Sequence, residues 1–106
     1  MGEQKLSYST VREECMDETL IKNVGGEEKA ETTLTAIFSL MGKQPNGEDG
    51  TLVVPANNIF FIKDVNEQLR PVMVYYNQFG KGGWKLKCDL GSNSLWAVGS
   101  RVFSQE

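Results

Sequence analysis

The 106-residue sequence contains no histidine, two cysteines and three prolines. Without histidine there is no Ser-His-Asp or Cys-His nucleophile, no histidine-ligated zinc or haem, and no histidine pH switch. Cys15 and Cys88 lie 73 positions apart, too few and too distant to complete a Cys₂His₂ or Cys₄ metal site within one chain. Small secreted domains use cysteine more densely, so both are expected to be reduced thiols. Long apolar runs are also missing. The longest, Val72-Met73-Val74-Tyr75-Tyr76, is far short of the about 20 residues that a spanning helix needs. Met1 to Thr10 is polar and lacks the apolar core of a signal peptide. Leu6 stands where a myristoylation motif requires Ser or Thr, and no Asn-x-Ser/Thr sequon occurs. The expectation is a cytoplasmic protein with no membrane partner.

The residues that are present describe a globular chain. Hydrophobic residues make up 40% and charged residues 24%, the balance of a packed domain rather than a disordered segment. Length predicts a single domain over residues 1–106. The net charge of −3 is unevenly spread. Residues 1–50 hold ten acids against five bases, whereas residues 51–106 hold six bases against four acids. That asymmetry suits either a polyanion-binding face or acidic helices beside a sheet with solvated lysines.

Along the chain, residues 1–8 read as a loose arm. Thr10 with Glu13 forms a capping-box pattern, and Val11, Cys15, Leu20, Ile21 and Val24 share one helical face that Gly25-Gly26 terminates. Residues 27–42 carry two periodicities. Ala30, Leu34, Ile37, Phe38 and Met41 follow helical spacing, with acids at the start and Gly42 at the end. The threonines at 32, 33 and 35 favour a strand instead. Helix is the preferred reading. Lys43 to Gly50 is a loop of turn-forming residues.

The second half reads as strands. Leu52-Val53-Val54 is a short apolar run stopped by Pro55. Asn58 to Val65, Leu69 to Asn77, Trp84 to Leu90 and Leu95 to Phe103 follow, joined by short turns. Trp84, Leu86, Cys88 and Leu90 alternate with Lys85, Lys87 and Asp89, which predicts that the first set is buried together. Trp96, Val98 and Val102 are expected on one face of the last strand. The predicted fold class is α+β: one or two N-terminal helices packed on one face of an antiparallel meander of about four strands. If residues 32–41 form a strand, the alternative is a mostly β roll or small barrel with one helix.

The chemical motifs are weak. Gly80-Lys81-Gly82-Gly83 matches neither the P-loop nor the dinucleotide fingerprint, because Trp84-Lys85 follows the glycines and a strand follows them in turn. Aligning Gly50 with the invariant glycine of a calcium loop puts Pro45 and Ala56 at coordinating positions, where neither side chain can ligate. No metal and no cofactor is expected. Asp64, Glu67 and Asp89 are formally available for acid–base chemistry, and a lone thiol for nucleophilic chemistry, with Cys88 beside Lys87 the better candidate. Core packing is the simpler role for both cysteines. The strongest constellation is aromatic and basic: Tyr75, Tyr76, Phe79, Lys81, Trp84, Lys85 and Lys87. Strand alternation puts Lys85 and Lys87 on one face, opposite Trp84, and lets one of the two tyrosines join them. Phe79 and Lys81 sit in a glycine-rich loop that admits close backbone approach.

These features favour a small non-enzymatic binding module for a protein partner or a small molecule. A single-stranded nucleic-acid binder using the Lys85/Lys87 face is the alternative, and an enzyme relying on carboxylates or one thiol the third reading. The oligomeric state is not encoded in any feature of the sequence.

Overall fold

The computed structural model describes residues 6–45, 47, 50–53, 57–77, 83–88 and 95–105. Among the described residues, three helices and five strands follow in the order β1 (Leu6–Thr10), α1 (Asp17–Asn23), α2 (Glu27–Ala30), α3 (Leu34–Lys43), β2 (Asn58–Lys63), β3 (Leu69–Asn77), β4 (Gly83–Cys88) and β5 (Arg101–Gln105). They form one mixed sheet in the order β1-β5-β2-β3-β4. The α+β class is as expected, and β2, β3 and β4 form an antiparallel meander. The last strand departs from it. β5 crosses to the far side of β2, pairs with it in parallel at Asn58↔Arg101 and Ile59↔Val102, and receives β1 antiparallel on its other edge. A parallel neighbour requires a long crossover, which a count of short turns does not reveal.

Several local expectations are corrected. Leu6–Thr10 is a strand paired with β5, so residues 6–8 of the expected loose arm belong to the sheet. The first helix begins at Asp17, not at Thr10, because the Val11 amide donates to the Ser100 carbonyl and continues the β1–β5 ladder. Cys15 therefore precedes α1 instead of lying on its face, in an isolated bridge with Trp96. The predicted stop is correct: the Gly26 amide donates to the Ile21 carbonyl and the Gly25 amide to Lys22, with Gly25 at a φ of 111°. This is the paired-bond helix terminus for which glycine is preferred. The helical reading of 27–42 holds, with a break at Glu31–Thr33. Thr33 caps α3 by accepting from the Ala36 amide. Regular pairing in the final strand starts at Arg101, and Val98 lies exposed in a turn.

The helices cover both faces of the sheet, contrary to the one-sided expectation. Ile59, Phe61 and Val102 pack with Leu20 of α1 and Ala30 of α2, joined by Val11 and Trp96; this is the front face. Phe60, Val72, Val74 and Phe103 pack with Ile37 of α3 and with Leu52; this is the back face. Alternate residues of one strand point to opposite faces, so each strand feeds both cores. The chain passes from front to back at Glu31–Thr32. There it pairs in parallel with Phe61, at the place along β2 where β5 has diverged. The Thr32 amide and hydroxyl both donate to the Phe61 carbonyl, and the Gln105 side-chain amide donates to the Glu28 and Glu31 carbonyls. On the back face, Phe60 stacks on Phe103 with ring centroids 4.4 Å apart.

The irregular segment after α3 is held by side-chain amides. Gln44 donates to the Leu52 carbonyl and accepts from the Leu52 amide, like one rung of a ladder. Asn58, fully buried, accepts from the Val53 amide and donates to the Val53 and Val74 carbonyls. Replacing Asn58 by Leu keeps the volume and strands these backbone groups without partners. The expected loss is about 3 kcal/mol of unfolding free energy, read as a lower urea midpoint at unchanged slope.

Candidate functional site

The register of the β3–β4 hairpin decides how the aromatic and basic residues group. Tyr75 lies opposite Lys85, Met73 opposite Lys87, and Tyr76 opposite Trp84. Cross-strand partners share a face, so Met73, Tyr75, Lys85 and Lys87 lie on the front, whereas Tyr76 and Trp84 lie on the back. Both lysines are exposed and Tyr75 is half-buried. Phe79 and Lys81 lie outside the described residues.

Tyr76 and Trp84 have structural work. Their rings meet edge to face at 5.3 Å, and the Trp84 indole N–H donates to the Gln44 carbonyl. A Cβ on Gly47, whose φ is 70°, would lie 2.8 Å from ring carbons of Tyr76. The two rings thus close over the 44–47 turn, and Gly47 is needed for the close approach. Trp84 and Leu86 pack at the margin of the back core and are half-buried, not deeply buried. Cys88, on the same face, is exposed, because the packing on this edge strand ends before it. Leu90 lies outside the described residues.

Of the candidate carboxylates, Asp64 serves a turn. Asp64 accepts from the Asn66 and Gln68 amides and from the Arg70 guanidinium, which shapes the β2–β3 turn. The Arg70 hydrogen bond, aided by the Gln68 amide, holds its carboxyl below the ordinary range. A general acid needs the opposite shift. Glu67 occupies the same turn at a φ of 61°, and Asp89 lies outside the described residues. Among the described residues no cluster of Cys, Asp and Glu could hold a metal ion, and no helix is long and apolar enough to cross a membrane.

A different site emerges on the front face, where sequence reading placed only a helix. The stretch Ser9–Met16, α1 and Leu95 enclose a cleft of about 570 Å³. Its apolar lining is Val11, Leu20 and Val102, which are buried, with Met16 at 41% and Leu95 at 57% exposure. Arg12, Glu13, Glu14, Thr19 and Asn23 add polar groups. The walls are fastened where the Trp96 amide donates to the Cys15 carbonyl at 2.7 Å and the Trp96 indole N–H donates to the Asp17 carboxylate. The volume falls within the about 300–1,000 Å³ of ligand sites. No local pattern announces it, because its walls come from positions some 80 residues apart.

Cys15 lines this cleft as a half-buried thiol. Burial pushes its pKa up, and the charges of Asp17 and Glu13 push it further. It stays protonated at neutral pH, which disfavours a thiolate nucleophile. Iodoacetamide at neutral pH should therefore alkylate Cys88 at least about tenfold faster than Cys15. Peptide mapping of partly labelled protein reads the ratio, and equal rates would contradict the placement of Cys15 against Trp96.

No family model, curated protein or solved structure matches the chain.

Proposed function

We propose that the chain is a small, cytoplasmic, non-enzymatic binding module whose ligand is a protein partner seated in the front-face cleft. One observation carries this reading: Met16 and Leu95 stand exposed at the rim of a cleft whose floor is apolar. Large apolar side chains beside a concavity are characteristic of surfaces that another molecule covers. The raised pKa of Cys15 and the structural duty of Asp64 support a binding role over catalysis.

The test uses the interacting protein purified from the native host. Leu95→Lys and Met16→Lys should each weaken binding by about 10- to 100-fold, the equivalent of one buried large apolar side chain. Thermal stability should hold, and Lys85→Ala should bind as the parent does. Full affinity in both rim variants refutes the cleft as the site.

The second reading, single-stranded nucleic acid, draws on the shared face of Tyr75, Lys85 and Lys87. Half-buried Tyr75 lies opposite exposed Lys85, with exposed Lys87 two residues along the same face, which supplies a stacking surface and two phosphate contacts. The acidic balance of the whole chain works against it. Under this reading, Lys85→Ala with Lys87→Ala lowers the salt dependence of oligothymidylate binding by about 1.4 in log–log slope, at about 0.7 per phosphate contact. Parent protein that leaves the oligonucleotide anisotropy unchanged at low salt rejects it.

A further inference from the structure

The two outer strands of the sheet are built differently. β4 carries Lys85 and Lys87, both exposed, the usual protection of an edge against added strands. β1, Leu-Ser-Tyr-Ser-Thr, carries no charge and no proline, and among the described residues no strand lies beyond it. Its pairing with β5 shows which backbone groups point outward. The Val11 amide donates to Ser100, so Val11 belongs to the set that bonds toward β5. Antiparallel ladders alternate, so Ser7 and Ser9 belong to that set too, whereas Leu6, Tyr8 and Thr10 turn their N–H and C=O groups to the open edge. An independent bond agrees: Arg101, the partner of Thr10, donates its amide away from β1 to the Asn57 carbonyl.

This edge runs into the cleft, whose lining begins at Ser9 and Thr10. We infer that β1 is a strand-addition site, and that the partner contributes an extended segment that pairs antiparallel or parallel with Leu6–Thr10 and lowers one large apolar side chain into the cleft. The inference rests on the protein-binding reading of the cleft and specifies the form of the partner. Main-chain bonds to an edge supply affinity in this mode, and pockets for alternate side chains supply selectivity. A second copy of the chain fits less well. Two β1 strands related by a two-fold through Tyr8 would set Ser7 of one opposite Ser9 of the other, and a serine cannot fill a cleft of this size. The side chain that fits is large and apolar, because Val11, Leu20, Val102, Met16 and Leu95 surround it.

The experiment uses the full chain, labelled with nitrogen-15, and three blocked heptapeptides. The first alternates threonine with valine around one central tryptophan. The second has serine in place of the tryptophan. The third is the first peptide with its backbone N-methylated along both edges. Strand addition predicts that the tryptophan peptide shifts the amides of Tyr8, Thr10, Met16 and Leu95 and slows exchange at Tyr8 and Thr10 by tenfold or more. The serine and N-methylated peptides should each bind at least tenfold more weakly, as should the tryptophan peptide to Thr10→Pro, which removes an outward donor. If Thr10→Pro is unfolded by its amide spectrum, the comparison of peptides on the parent protein decides alone. Shifts confined to Met16 and Leu95, with the N-methylated peptide bound equally well, overturn strand addition and leave the cleft reading standing. An absence of shifts with all three peptides overturns the inference, while the partner titration separately judges the cleft. A dimer by sedimentation whose Tyr8 and Thr10 amides are protected without peptide assigns the edge to a second copy and also overturns it.

Discussion

The architecture depends on one buried carbonyl. Phe61 offers its oxygen at the point where β5 has diverged from β2, and Thr32 fills the opening with both its amide and its hydroxyl. A buried carbonyl without a partner would cost about 1–3 kcal/mol. The threonine meets that requirement while carrying the chain from one side of the sheet to the other. Gln105 secures the same crossing from β5 by donating to the Glu31 carbonyl. Once the crossing is made, α1 and α2 cover the front and α3 the back, and a five-stranded sheet is covered on both sides by 21 helical residues.

The crossing also explains the distribution of free surface. The short helices on the front face pack near β5 and β2, and at the hairpin end of that face Lys85 and Lys87 stand exposed beside half-buried Tyr75. Near β1 the same side has the cleft, because the chain between β1 and α1 runs over the sheet as an irregular segment instead of a helix. α3 has its own exposed pair, Leu34 and Phe38, one turn apart. Of these surfaces only the cleft combines concavity and an apolar floor with, among the described residues, an adjacent sheet edge.

Tyr76 and Trp84 show how a conspicuous motif can have a structural cause. Large amphipathic rings suit a binding surface, and they equally suit closing a turn whose backbone needs a donor. The Gln44 carbonyl takes the indole N–H, and Gly47 lies against the tyrosine ring. Arg101 performs a similar service on the back, donating to the Gly50 and Thr51 carbonyls while its guanidinium sits 4.3 Å from the Tyr8 ring centre. Residues 50–53 of the loop before β2 are thus held by side chains of Gln44, Asn58 and Arg101.

What the sequence determined by itself were the local events. Gly25-Gly26 ends α1 because only a residue tolerant of positive φ closes that terminus, and the two-residue alternation from Trp84 to Cys88 put the lysines on one face. The same period let one of Tyr75 and Tyr76 join them, and the β3–β4 register made it Tyr75. Tertiary structure decided everything that turns on long-range partners. Thr10 and Val11 could equally have capped a helix, and became ladder residues because Arg101, some 90 positions later, lies opposite Thr10 and the neighbouring Ser100 carbonyl accepts from the Val11 amide. Cys88 has the period of a core residue and lies exposed because its strand is an edge. The cleft was invisible for the same reason: Cys15 and Trp96 meet only when the sheet is assembled, and no local propensity encodes a contact whose two halves are separated by most of the chain.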